Sequence, residues 1–204
     1  VIVDAVSSLT AMPVEVDSWG LDVVVSGSQK GWMIPPGLAF ISISNEAWEV
    51  QKKCTTPRFY FDLLKHKESL EKGQTPWTPA LSLFYQLDEA LDKLKAEGME
   101  NVIKRHAVCA EKTREAIKGM NFELLAKEGY ESNSVTAIKA PDGLDVKQLL
   151  KTANEKFDTA FAGGQGALGG KIFRFGHLGY VTEQDVEDGI DVLKQSLDVI
   201  GFRK

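Results

Sequence analysis

Lys30 ends the run Asp22-Val23-Val24-Val25-Ser26-Gly27-Ser28-Gln29-Lys30, and the apolar, turn-rich stretch Gly31-Trp32-Met33-Ile34-Pro35-Pro36-Gly37 follows it. An amine placed where a short buried strand enters a dry loop loses hydration. That disfavours the ammonium and leaves a free amine able to form a Schiff base. Asp4 ends the only earlier strand-like run, Val1-Ile2-Val3. A carboxylate buried there needs a cationic partner, and the protonated ring nitrogen of pyridoxal phosphate (PLP) is one such partner. Each residue also has a plainer reading. A lysine after Ser-Gln is commonly a solvated loop residue, and an aspartate at a strand end commonly serves a turn or a helix cap. The arrangement favours chemistry: two Val-rich strands end in reactive side chains, and in open parallel sheets ligands sit beyond the carboxyl ends of the strands.

Five segments occur in order: Asp4-Ala5-Val6-Ser7-Ser8-Leu9, Ser26-Gly27-Ser28-Gln29-Lys30, Pro35-Pro36-Gly37, Thr75-Pro76-Trp77-Thr78-Pro79 and Arg174-Phe175-Gly176-His177-Leu178-Gly179. In order and spacing they resemble the class V aminotransferases of PLP fold type I, most closely the alanine–glyoxylate and serine–pyruvate aminotransferases. The resemblance runs along the whole chain. It implies that Lys30 holds PLP as an internal aldimine, that Asp4 faces the ring nitrogen, and that Val6 packs beneath the ring. It places Gln29 near the phosphate, Thr78 and Thr75 on the phosphate of a neighbouring subunit, and Arg174 on the substrate's α-carboxylate. The implied reaction is transamination of a small amino acid, alanine or serine, to a 2-oxo acid such as glyoxylate or pyruvate.

The implied fold class is α/β: the C-terminal part of the large PLP-binding domain, a remnant of a mainly parallel sheet, plus a small C-terminal α+β domain. Residues 1–97 would form the first part, with a connector and linking helix, and residues 98–204 the second. About half of the family's polypeptide would precede residue 1, either removed from a longer chain or supplied by a second one. The implied assembly is a homodimer with shared active sites.

The residues keep their own readings beside this. Arg174 alternates against Phe173 and Phe175, which puts it on the opposite face; by pattern alone it is an exposed or salt-bridged arginine. Thr78, just ahead of a helix, reads as an N-cap, and a cap can also bind an anion. Gly164-Gln165-Gly166-Ala167-Leu168-Gly169 matches the dinucleotide fingerprint, but a strand-like run follows instead of a helix, so a hairpin-like loop fits better. His177 is read as a turn or packing residue. Two other functions stay open: a non-catalytic subunit related to the so-called soluble-hydrogenase small subunit, and a PLP lyase or desulfurase, although neither Cys54 nor Cys109 sits in an obvious active-site loop.

Composition narrows the classes. The 204 residues are 43% hydrophobic and 26% charged, with a net charge of −5 and no dense basic block. That argues against nucleic acid as a partner. The scattered histidines and cysteines have no zinc-ligand spacing and form no disulfide framework, which suggests reduced thiols and a cytoplasmic chain. No apolar run approaches the roughly 20 residues that span a bilayer.

Short apolar runs predict strands at 1–6, 22–26 and 38–43, of a mixed or parallel sheet with a raw edge and an uncovered face. A short helix is predicted over 45–54, then a polar connector from Thr55 to Thr78 in which Arg58–Asp62 is irregular. Helical spacing predicts one helix from Ala80 to Gly98 and another over 100–118. Beyond it come strands at 122–125 and 135–138, a helix capped by Asp145 through about Asn154, strands at 157–162 and 171–175, and a last helix opened by Thr182-Glu183-Gln184-Asp185.

Overall fold

The structure, a computed structural model, describes residues 1–202. Two three-stranded sheets organise the chain. In the first, β1 (Ile2–Asp4) runs parallel to β2 (Val23–Gly27), with Asp4 opposite Val25, and β3 (Ala39–Ile43) returns antiparallel with Ala39 opposite Gly27. The sheet is therefore mixed, and β1 is an open edge on which Ile2 is 78% exposed. The second sheet is antiparallel, in the order β4 (Val135–Lys139), β6 (Ile172–Gly176), β5 (Ala162–Gly163).

Local chemistry sets the helix ends. The Ser44 side chain accepts the Ala47 N–H to start α1 (Asn45–Lys52), and Asp62 accepts the Leu64 N–H to start α2 (Leu63–Leu70). Arg58–Asp62 is irregular, as expected, while α2 lies in the rest of the polar connector, where no helix was expected. Its eight residues bury no side chain, so they carry little of the periodic apolar signal that marks a helix. Gly98 at φ +83° separates α3 (Leu81–Glu97) from α4 (Met99–Gly119). The expected Asp145 cap opens α5 (Val146–Phe157), and a complete Thr182–Asp185 capping box opens α6 (Glu183–Val199).

The main core lies where α4, α5 and α6 cover the second sheet. Ile117, Ile138, Leu149, Phe173, Val186 and Leu193 are buried there, with Phe122 edge-on to Phe173 at 5.8 Å. Two expected strands are cut short. Residues 122–125 make only one bridge, Leu124 to Ile138, because Phe122 turns into the core after Asn121 adopts φ +62°. The 157–162 strand shrinks to Ala162–Gly163, because α5 continues through Phe157 and ends on Asp158 in the left-handed conformation. Residues 164–170 form a loop with a short 3-10 turn at Gly166–Leu168 between the paired strands β5 and β6. The hairpin-like reading holds.

No helix among the described residues is long and apolar enough to cross a membrane.

Candidate active site

Because β1 and β2 are parallel neighbours, their carboxyl ends open on the same side of the sheet. Asp4 sits at one end and the turn Gly27-Ser28-Gln29-Lys30 leaves the other. The Val6 backbone N–H donates to Asp4 Oδ1 at 2.9 Å, a local turn contact that ties one carboxylate oxygen to the chain just past β1. The Gln29 and Val6 side chains meet over Gly27: Gln29 Oε1 lies 3.0 Å, and Val6 Cγ1 3.7 Å, from the point where a β-carbon would sit. Asp4, Val6, Gln29 and Lys30 thus gather at one end of one strand pair.

Two expectations about burial need correction. Asp4 is exposed, not buried, and Lys30 is half-buried instead of enclosed in a dry loop. Asp4 stands on the sheet's open edge, where no described element covers it. Among the described residues, Lys30 Nζ and the second Asp4 oxygen make no hydrogen bond or ion pair.

Residues that the sequence reading passed over hold the Lys30 loop in shape. Buried Ser28 donates its hydroxyl to the Pro35 carbonyl (2.8 Å) and accepts the Leu38 N–H (3.1 Å), closing the loop. Trp32 Nε1 donates to Ser26 Oγ at 2.9 Å, and its ring tilts against Phe40 at 4.9 Å. Behind the loop, Thr10 is buried at φ +72°, unusual for a β-branched residue, and no described group bonds its hydroxyl. Gly31 presses on it, so that a β-carbon there would fall 1.8 Å from Thr10 Oγ1 and 2.9 Å from the Leu9 carbonyl oxygen. The repeated serines and glycines of 26–31 were the available signal, but which of them touch Thr10 depends on a turn twenty residues earlier. Gly31→Ala is expected to cost about 1–3 kcal/mol of stability by overpacking. Thr10→Gly should recover part of it, by freeing the space and relieving the left-handed backbone. Equal urea midpoints for Gly31→Ala and the wild type would rule this contact out.

Thr75 and Thr78 belong to the connector ahead of α3. Both are exposed and line an open cleft of about 790 Å³ with Trp77, Leu81, Phe84 and Tyr85. Thr75 Oγ1 donates to the Trp77 carbonyl at 2.6 Å. Thr78 is not the N-cap that its position suggested. Pro79 follows it and α3 begins later, at Leu81, with Ala80 at the N-cap and no side-chain cap.

Arg174 lies on β6 opposite Ala137 and Ala162, on the face away from Phe173 and Phe175. It is half-buried, and its Nε donates to the Gly163 carbonyl at 3.0 Å. That bond fixes the guanidinium plane and leaves both terminal nitrogens without a described partner. His177, three residues on, is fully buried, with Nε2 2.9 Å from Thr136 Oγ1 and Nδ1 3.1 Å from the Asn133 carbonyl. It is a packing residue, as expected.

Burial also pulls the His177 pKa from 6.5 down to about 4. Between those values the unfolded chain binds a proton that the folded chain refuses. Stability is therefore complete above pH 6.5 and falls as pH drops toward 4, by a total on the order of 3 kcal/mol. Urea midpoints at pH 7 and pH 4.5 should separate accordingly, and less so in His177→Gln. A variant with the undiminished pH slope would assign the loss to other groups.

Among the described residues no cluster of three or more His, Cys, Asp or Glu could hold a metal ion.

The family model described as "Aminotransferase class-V" matches residues 1–187. The chain is 46% identical over 202 residues to a Synechococcus sp. (strain PCC 6716) protein called "Soluble hydrogenase, small subunit", over 99% of this chain and 52% of that one. It is 38% identical over 201 residues to the serine–glyoxylate aminotransferase of Methylorubrum extorquens, over 96% of this chain and 50% of the other. Among solved structures, pyridoxamine–pyruvate aminotransferase from Mesorhizobium loti superposes with a TM-score of 0.93 at 31% identity, over 100% of this chain and 53% of that one. The chain therefore spans about half the length of these relatives. Its architecture is a partial fold type I aminotransferase fold. The family match extends from β1 through the Lys30 loop and the Arg174 strand into α6, and the chain belongs to the class-V aminotransferase family.

Proposed function

We propose that this chain contributes the lysine, carboxylate and arginine of a PLP-dependent transamination site acting on a small amino acid, alanine or serine, and a 2-oxo acid such as glyoxylate or pyruvate. The observation that carries the proposal is the placement of an unpaired Lys30 amine and a half-free Asp4 carboxylate beyond the ends of two parallel neighbouring strands. The residues fit the cofactor. Lys30 would offer a nucleophilic amine, Asp4 an anion for a pyridinium, Val6 an apolar side chain for the ring and Gln29 an amide for the phosphate.

When bound, PLP supplies an aldehyde for a lysine amine and an electron-accepting ring that stabilises negative charge at the substrate's Cα. The protein's own groups do the rest. Lys30 would remove the Cα proton of the bound amino acid and carry it, acting as base and then as acid on the same face. Asp4 would hold the proton on the ring nitrogen. Arg174, its plane held by the Gly163 carbonyl, would offer its two free terminal nitrogens as a fork to the α-carboxylate and so orient the bound amino acid.

The proposal includes the division at residues 97 and 98 and a dimer with shared sites. The exposed cleft of Thr75 and Thr78, whose lining does not include Lys30, supports the latter, since both would be open to a neighbouring subunit's phosphate. In the assay, alanine or serine with glyoxylate should give glycine plus the matching 2-oxo acid. Turnover of other donors alone would reject the substrate class.

The 46% identity to a protein named as a soluble-hydrogenase small subunit favours a second reading, a non-catalytic partner. Such a chain would take up no cofactor, and uptake by Lys30 decides between the two.

A further inference from the structure

Helix α4 grips one glycine from both sides. His106 Nδ1 lies 2.7 Å from the Val102 carbonyl, an acceptor, so it carries the ring proton and leaves the Nε2 lone pair free. The Gly179 N–H donates to that lone pair at 3.0 Å. The neighbouring Arg105 donates through Nη1 to the carbonyls of Gly179 and Val181, both at 2.8 Å. Its other nitrogens are locked on Glu97, Nε to Oε1 at 2.7 Å and Nη2 to Oε2 at 2.9 Å. His106 is 1% exposed, and its burial holds the imidazole below its ordinary pKa, in the neutral form that can accept.

The clamped peptide has two consequential neighbours. Upstream, Gly179 is five residues from Arg174, joined through Gly176 and the buried His177. On its other side it packs on the Lys30 loop: a β-carbon at Gly179 would stand 3.7 Å from the Lys30 carbonyl oxygen and 3.6 Å from Met33 Cγ. That Lys30 carbonyl accepts the Met33 N–H at 3.0 Å. One rigid helix thus fixes the junction between the loop bearing the amine and the segment bearing the guanidinium.

We propose that His106 and Arg105 are positioning residues that set the Lys30-to-Arg174 geometry through the Gly179 peptide. This rests on the transaminase reading and deepens it by naming what aligns its two halves.

His106→Leu removes the acceptor, and His106→Gln restores one. In the cofactor-free chain, His106→Leu should speed hydrogen exchange at Gly179 and at residues 30–34 about tenfold or more, while α4 and the core of β6 stay protected. In the loaded enzyme, kcat per cofactor-bearing site should fall about tenfold or more with a smaller change in KM, because a small misplacement of reacting groups costs rate more than binding. His106→Gln should recover most of both. Unchanged exchange at residues 30–34, or an unchanged kcat per loaded site, would overturn the proposal. So would equal loss in both variants, which would mark His106 as a packing residue only. Failure of the wild type to load cofactor on Lys30 would instead remove the transaminase reading on which the proposal rests.

Discussion

Lys30→Ala is expected to abolish covalent cofactor capture and to slow transamination by about a thousandfold or more, because the nucleophile and the proton carrier are the same nitrogen. The fold should survive. Lys30 is half-buried and its amine makes no bond among the described residues, so truncation leaves no buried partner unsatisfied. The near-visible absorbance of the PLP-loaded protein should vanish while far-ultraviolet circular dichroism stays unchanged. An added small amine should restore part of the rate, since it can replace the missing base. Retention of the absorbance would mean that another lysine holds the cofactor.

The second large effect separates two adjacent residues of β6. Phe173 is fully buried and packs edge-on to Phe122, so Phe173→Ala should cost about 3–5 kcal/mol of stability through lost burial and the cavity left behind. Arg174, on the other face of the same strand, contributes one hydrogen bond to the Gly163 carbonyl. Arg174→Ala should leave the urea midpoint nearly unmoved but raise KM for the amino donor on the order of a hundredfold, the cost of an unpaired substrate carboxylate. Equal loss of stability in both variants, with KM unchanged for Arg174→Ala, would make Arg174 a structural residue.

Much of this site was readable in the sequence because strand ends are local. A Val-rich run followed by Ser-Gly-Ser-Gln-Lys places Lys30 just past the end of a strand whatever surrounds it, and Val1-Ile2-Val3 puts Asp4 at the end of another. The alternation of Phe173, Arg174 and Phe175 likewise fixes opposite faces. The environment of those residues was less readable, since burial depends on what covers an edge: Asp4 was expected to be buried and is exposed. Contacts between distant segments were invisible. Nothing near Gly31 points to Thr10 at φ +72°, and nothing in Arg105-His106 points to Gly179 more than seventy residues on. Helix α2 was missed because it buries no side chain, while residues 122–125 looked like a strand because a turn into the core has the same apolar composition.

The most direct measurement is borohydride reduction of the purified PLP-treated protein, followed by mass mapping of its peptides. The account expects one phosphopyridoxyl group per chain, on the peptide containing Lys30. A label on any other lysine, or none after treatment that labels a class-V relative, would contradict it.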